Sequence, residues 1–74
     1  MENKTLKEKF IEEMKVASIP KLITVAVKLP SGAIETITNT EDTVTKALYY
    51  TDKYDEEFRL KHNTDVQIVG YMIV

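Results

Sequence analysis

Apolar and polar positions alternate from Lys21 to Leu29. Ile23, Val25, Val27 and Leu29 stand two apart, with Thr24, Ala26 and Lys28 between them. A period of two marks a strand with one buried face. Pro30-Ser31-Gly32 then supplies turn chemistry. Proline presets the backbone for the first corner of a type I turn, and glycine takes the left-handed position that closes a three-residue loop with a bulge. Ala33 to Thr38 continues in β-favouring residues, so Lys21–Asn39 reads as a β-hairpin. That loop pairs Leu29 with Ala33, Val27 with Glu35 and Val25 with Ile37. Ala33 and Ile37 then share the first strand's apolar face, and Ile34 takes the other. Glu35 opposite Val27 is an uncomfortable consequence, and a one-residue slip would reverse the faces. The register around Glu35 is left open on this reading.

The period changes on either side of the hairpin. Leu6, Phe10, Met14 and Ala17 recur at helical spacing with Ile11 beside them, which predicts a helix over Thr5–Ser18. Thr5 and Glu8 form a capping box, and Pro20 ends the helix by about Ser18. A second helix is predicted from a cap at Asn39 or Thr40 to about Tyr54, with Glu41 and Asp42 in its first turn. Its predicted inward face is Val44, Ala47, Leu48 and Thr51; Tyr50 and Tyr54 sit beside that face, and Tyr49 is angled away. Asp55–His62 is ambiguous between helix and loop, with a short turn carrying Phe58 and Leu60 inward. Asn63-Thr64 reads as a turn.

Asp65–Val74 is the last strand. Val66, Ile68, Met72 and Val74 face one way; Gln67, Val69, Tyr71 and Ile73 face the other. Both sets are largely apolar, so each face needs a cover or a partner. Gly70 inside an apolar strand marks a bulge or a close approach. With the first strand central and a right-handed crossover through the second helix, the expected fold is α+β. The order is α-β-β-α-β, a three-stranded antiparallel sheet of strand order 2-1-3 with the helices packed on it. Residues 1–74 form one domain.

Size then limits how such a fold is held. A chain of 74 residues buries only about 60–65% of its unfolded surface. Disulfides, metals or self-association commonly supplement so small a core. The chain has no Cys and one His, which removes disulfides, thiolate metal sites and histidine clusters. Self-association remains, and a homo-oligomer is expected. The charged N-terminus has no apolar run of signal-peptide type, and no window approaches a membrane span. The expectation is a soluble cytoplasmic protein with no membrane contact.

Candidate chemistry is sparse. His62 lies in Lys61-His62-Asn63-Thr64, with Asp65 as the only acid close in sequence; an exposed loop histidine is the expected reading. Asp52 and Asp55-Glu56-Glu57 lack the ligand alternation and central glycine of a calcium loop and read as a solvated acidic face. Ser31 follows proline between two strands, without the strand-to-helix turn or base of a nucleophile elbow. No catalytic residue, metal or cofactor is expected, and the chain is read as a non-enzyme. Tyr49, Tyr50 and Tyr54, followed by Asp55, Glu56, Glu57 and Arg59, are the candidate protein-interaction residues, because Tyr and Arg are favoured at interfaces. The competing reading packs Tyr50 and Tyr54 under the sheet with their hydroxyls at the rim. Gln67, Val69, Tyr71 and Ile73 are the candidate self-association face.

Leu29-Pro30-Ser31-Gly32-Ala33-Ile34-Glu35, the capped helix bearing Tyr49-Tyr50, and Tyr54-Asp55-Glu56-Glu57-Phe58-Arg59-Leu60-Lys61 together resemble small accessory proteins of tailed bacteriophages of Gram-positive bacteria. The similarity runs from Lys21 onward and carries no catalytic motif. It implies action in the host cytoplasm and contact with host proteins. The expected function is therefore a small binding or accessory protein acting through protein–protein contacts. The alternative is a nucleic-acid binder using the sheet or the lysine-bearing first helix. It requires Lys4, Lys7, Lys15, Lys21 and Lys28 to converge, and the net charge of −2 opposes it.

Overall fold

The computed structural model describes residues 3–17 and 19–74. In chain order its elements are α1 (Leu6–Ala17), β1 (Ile23–Lys28), β2 (Ile34–Asn39), α2 (Thr43–Lys53), β3 (Arg59–Leu60) and β4 (Asn63–Ile73). The fold is α+β, as the alternation of periods predicts. Among the described residues the sheet has four antiparallel strands in the order β2-β1-β4-β3, not three in the order 2-1-3. The extra strand comes from the ambiguous segment. Lys61-His62 turns the chain so tightly that Leu60 pairs with Asn63, and Arg59–Leu60 lies against the start of β4. Asn63-Thr64, expected as a turn, is therefore already strand. No helix of the described residues is long and apolar enough to cross a membrane.

The hairpin keeps the expected register. Val27 faces Glu35 and Val25 faces Ile37, and Leu29 N–H donates to the Ala33 carbonyl at 2.8 Å. Gly32 takes φ 91, the left-handed corner the turn requires. Glu35 avoids the core because β2 is an edge strand beyond the helices. Every β2 residue except Asn39 is exposed.

α1 starts where its capping residues say. Glu8 N–H donates to Thr5 Oγ at 3.1 Å, and the Thr5 hydroxyl reaches Glu8 Oε1 at 3.3 Å. Phe10 is fully buried, and Leu6, Ile11 and Met14 pack partly around it. The predicted end at Ser18 lies outside the described residues.

α2 departs more from expectation. It starts at Thr43, after Asp42 at φ 49, so Glu41 and Asp42 precede it. Neither predicted cap acts as one. Asn39 ends β2, and its side chain donates to the Tyr50 hydroxyl at 3.0 Å and the Ile23 carbonyl at 3.3 Å. Thr43 instead anchors the first turn by donating its hydroxyl to the Pro20 carbonyl. The buried face is Thr43, Ala47 and Tyr50, continued by Tyr54 just past the helix. Val44 and Leu48 are 45% and 65% exposed, against expectation. Two phenolic rings offer more area than Val and Leu, and they turn the helix toward themselves.

The core is one cluster: Phe10, Ile23, Val25, Val27, Ala47, Tyr50, Tyr54, Phe58 and Ile68. Burial raises the Tyr54 phenol above its usual 10.0, with the nearby Tyr49 and Tyr50 adding to the effect. Tyr71 is raised as well, first by burial, then by the charge of Glu13 and a hydrogen bond to it, then by Glu12. A phenol whose folded pKa is raised loses its proton first in the unfolded chain. Its stabilising contribution is complete below the unfolded value and is lost as pH climbs through the folded one. Urea midpoints are therefore expected to hold below about pH 10 and to fall as the pH climbs above it. Tyr54→Phe with Tyr71→Phe should flatten that fall. An equally steep loss in the double variant would remove these phenols as its cause.

Candidate interaction surface

The tyrosine–acid segment divides on folding. Tyr50 and Tyr54 are buried, so the competing reading holds for both. Their rings lie 6.0 Å apart; Phe10 meets Tyr50 edge-on at 6.2 Å, and Phe58 meets Tyr54 edge-on at 5.9 Å. Lys7 Nζ donates to the Tyr54 carbonyl at 2.6 Å, tying α1 to the chain just past α2. Tyr49 alone reaches the surface. It packs edge-on against Tyr50 at 5.3 Å and lies under Lys46 Nζ at 5.5 Å from the ring centre.

Asp55 is a turn organiser. Its Oδ1 accepts from the N–H of Glu57 and of Arg59, both at 2.9 Å, and its own N–H donates to the Arg59 carbonyl at 2.8 Å. Phe58 occupies the left-handed region at φ 62, which drops its ring into the core. Arg59 pairs with Glu57 at 2.9 Å, so the charges at this end are partly matched. Glu56 is exposed and borders a shallow groove with Thr5, Lys7, Glu8 and Ile11. Of the seven candidates, Tyr50 and Tyr54 are core and Asp55 is structural. Tyr49, Glu56, Glu57 and Arg59 remain exposed.

The expected self-association face on the last strand is also divided, by the bulge that Gly70 marks. Ala26 pairs with Gly70 while Val27 pairs with Ile68, which leaves Val69 as the extra residue. The alternation reverses there. Ile68, Tyr71 and Ile73 turn toward the helices, whereas Gln67, Val69 and Met72 turn away. Tyr71 confirms its side by meeting the Phe10 ring edge-on at 5.4 Å. Tyr71 and Ile73 thus belong to the core layer, not to a free face.

The bulge places Val69 and Met72 on one face of the sheet, a face that no helix of the described residues covers. Across the strands it presents three rows: Ile34, Lys28, Gln67 and Arg59; Thr36, Ala26 and Val69-Gly70; and Thr38, Thr24 and Met72. Ile34, Val69 and Met72 are 61%, 42% and 52% exposed. Thr24 and Thr38 hydroxyls touch at 3.2 Å. A Cβ built on Gly70 would meet Ala26 Cβ at 3.8 Å in ordinary contact, so Gly70 is needed neither for space nor for positive φ. Val69 and Met72 are legible as apolar in the sequence. That they share a face with Ile34 is not, because the bulge decides it.

His62 is exposed in the β3–β4 turn, as expected for a loop histidine. The five lysines of the nucleic-acid alternative do not meet on one face. Lys4 pairs with Glu12, Lys7 is held by the Tyr54 carbonyl on the helical layer, and Lys28 stands on the opposite side of the sheet. No protein-family model, curated protein or solved structure matches this chain.

Proposed function

We propose that this chain is a small cytoplasmic binding protein, without catalysis, that acts through protein–protein contacts made by its uncovered sheet face. The observation that carries the reading is the exposure of Ile34, Val69 and Met72 on one face that no helix of the described residues covers. A β-sheet with helices on only one side leaves such a face to water or to a partner, and an apolar patch rimmed by polar groups favours a partner. Lys28, Arg59, Gln67 and the threonines form that rim. The resemblance to phage accessory proteins supports a host protein as the partner and the host cytoplasm as the place. Self-association belongs to the same reading, since a small core gains from a second subunit.

Among the described residues the face carries no aromatic ring on which a base could stack, and its Arg59 is paired with Glu57. This counts against the nucleic-acid reading. The tyrosine–acid region is the lesser protein-contact candidate, because its two largest rings are buried.

The test compares capture of host protein by the wild type and two double variants. Val69→Lys with Met72→Lys should cut specific capture at least about tenfold, because each cation is desolvated at the centre of the patch. Glu56→Lys with Glu57→Lys should leave capture unchanged. The opposite pattern would move the contact to the acidic turn. Both pairs lie on the surface, so unfolding midpoints should change little.

A further inference from the structure

The two edges of the sheet are unlike. β3 is two residues long and is closed off by the Asp55–Arg59 turn and the Tyr54–Leu60 bridge, so it offers little to a further strand. β2 is six residues of Ile-Glu-Thr-Ile-Thr-Asn, with no proline, no lysine and one charge. Of the usual devices that blunt an edge it carries one, the charge of Glu35 on the helix side opposite Val27.

The ladder identifies which β2 groups are free. Leu22 and Val74 exchange both backbone hydrogen bonds, so Thr24, Ala26 and Lys28 point toward β4, and Ile23, Val25 and Val27 toward β2. Leu29 N–H on the Ala33 carbonyl gives the same phase. Ile34, Thr36 and Thr38 therefore turn their N–H and C=O groups outward, away from β1.

We propose that β2 pairs antiparallel with β2 of a second copy across a two-fold axis at Ile37, joining two sheets into one. Outward groups must meet outward groups, so the axis passes through a residue, and within β2 it can be Glu35, Thr36, Ile37 or Thr38; at Thr38 it sets each Ile37 against an asparagine. At Glu35 it sets two carboxylates face to face, which is repulsive. At Thr36 it sets each Glu35 against an isoleucine. At Ile37 it pairs Thr36 with the second copy's Thr38, sets Glu35 against Asn39, and covers each Ile37 with the other. Ile37 is 46% exposed in the single chain. Only this register matches apolar with apolar and threonine with threonine, which favours a second copy over a foreign strand. Because the β3 edge is closed, pairing stops at two copies and builds no filament.

This deepens the reading of the sheet as a contact surface, and its test separates the two. Sedimentation of the wild type should give a monomer–dimer equilibrium within about 1 mM, the weak end of measurable association. Thr36→Pro removes an outward N–H that β1 does not use, so the variant should fold. Its dimer dissociation constant should rise at least about tenfold. Ile37→Cys introduces a lone thiol, and mild oxidation should cross-link it into dimers, whereas Glu35→Cys should cross-link poorly. If Thr36→Pro fails to fold, the cysteine pair decides. A wild type that stays monomeric, including one that takes up only a foreign strand, would overturn the proposal. So would species larger than a dimer, a folded Thr36→Pro that dimerises normally, or Glu35→Cys cross-linking as well as Ile37→Cys. Val69→Lys with Met72→Lys, on the face and not the edge, should leave the dimer intact. Loss of host capture therefore does not count against it.

Discussion

Phe10→Ala is expected to abolish cooperative folding at room temperature. Phe10 is 0% exposed and is the one residue of α1 in the buried core. Its ring meets Phe58 at 5.5 Å, Tyr71 at 5.4 Å and Tyr50 at 6.2 Å, each near edge-on. It therefore joins β4, α2 and the Asp55–Arg59 turn at one point. Truncating a buried Phe to Ala costs about 3–5 kcal/mol, transfer and cavity together. A core of this size supplies only about 3–5 kcal/mol in all. The two magnitudes are equal, so no folded majority should remain. Ile11→Ala, at a half-buried neighbour, should cost about 1–2 kcal/mol and leave a urea transition. Tyrosine fluorescence reports both, since the chain has four Tyr and no Trp. A two-state transition in Phe10→Ala close to that of the wild type would show that α1 is not essential to the core.

What the sequence made legible follows from the range of the interactions involved. The hairpin register depends on Pro30, Gly32 and alternation within nine residues of them, and it appears as read, Glu35 included. The Thr5 hydroxyl cap on Glu8 N–H, the half of the expected capping box that forms, is equally local. The face of α2 is set from outside the helix. Pro20 receives the Thr43 hydroxyl and Asn39 holds the Tyr50 hydroxyl, and neither contact is encoded in the period of residues 43–53. The candidate site failed where it relied on strict alternation through Gly70. Gly70 marks a bulge, and a bulge there reverses the faces of Tyr71 and Ile73. In the tyrosine–acid segment, composition pointed to a surface. The physical demand on Tyr50, Tyr54 and Asp55 was burial and turn formation instead.

Phe58 offers the second large effect and an inversion of the usual ranking of small residues. Phe58→Ala removes a ring that is 1% exposed and packs against Phe10 and Tyr54 at 5.5 and 5.9 Å. The loss should be about 3–5 kcal/mol. The backbone there sits at φ 62, where a side chain bearing Cβ is strained by about 1 kcal/mol and glycine is not. Phe58→Gly loses the same ring but relaxes that strain, so it should be about 1 kcal/mol more stable than Phe58→Ala. Elsewhere in a folded chain glycine is ordinarily the worse of the two. The turn keeps the angle fixed from both sides. Asp55 Oδ1 holds two amides, the Asp55 carbonyl takes the Phe58 N–H at 2.9 Å, and the Phe58 carbonyl takes the Ile68 N–H at 2.9 Å. Asp55→Ala frees both amides and should cost about 1–3 kcal/mol, while Asp55→Asn keeps an acceptor in place and should cost less. Because unfolding is close to complete in the Phe58 variants alone, their difference is best read at low temperature with a stabilising osmolyte, by extrapolating both transitions to one condition. Alanine equal to or better than glycine would mean that the ring, and not the left-handed turn, sets the geometry by which β3 meets β4.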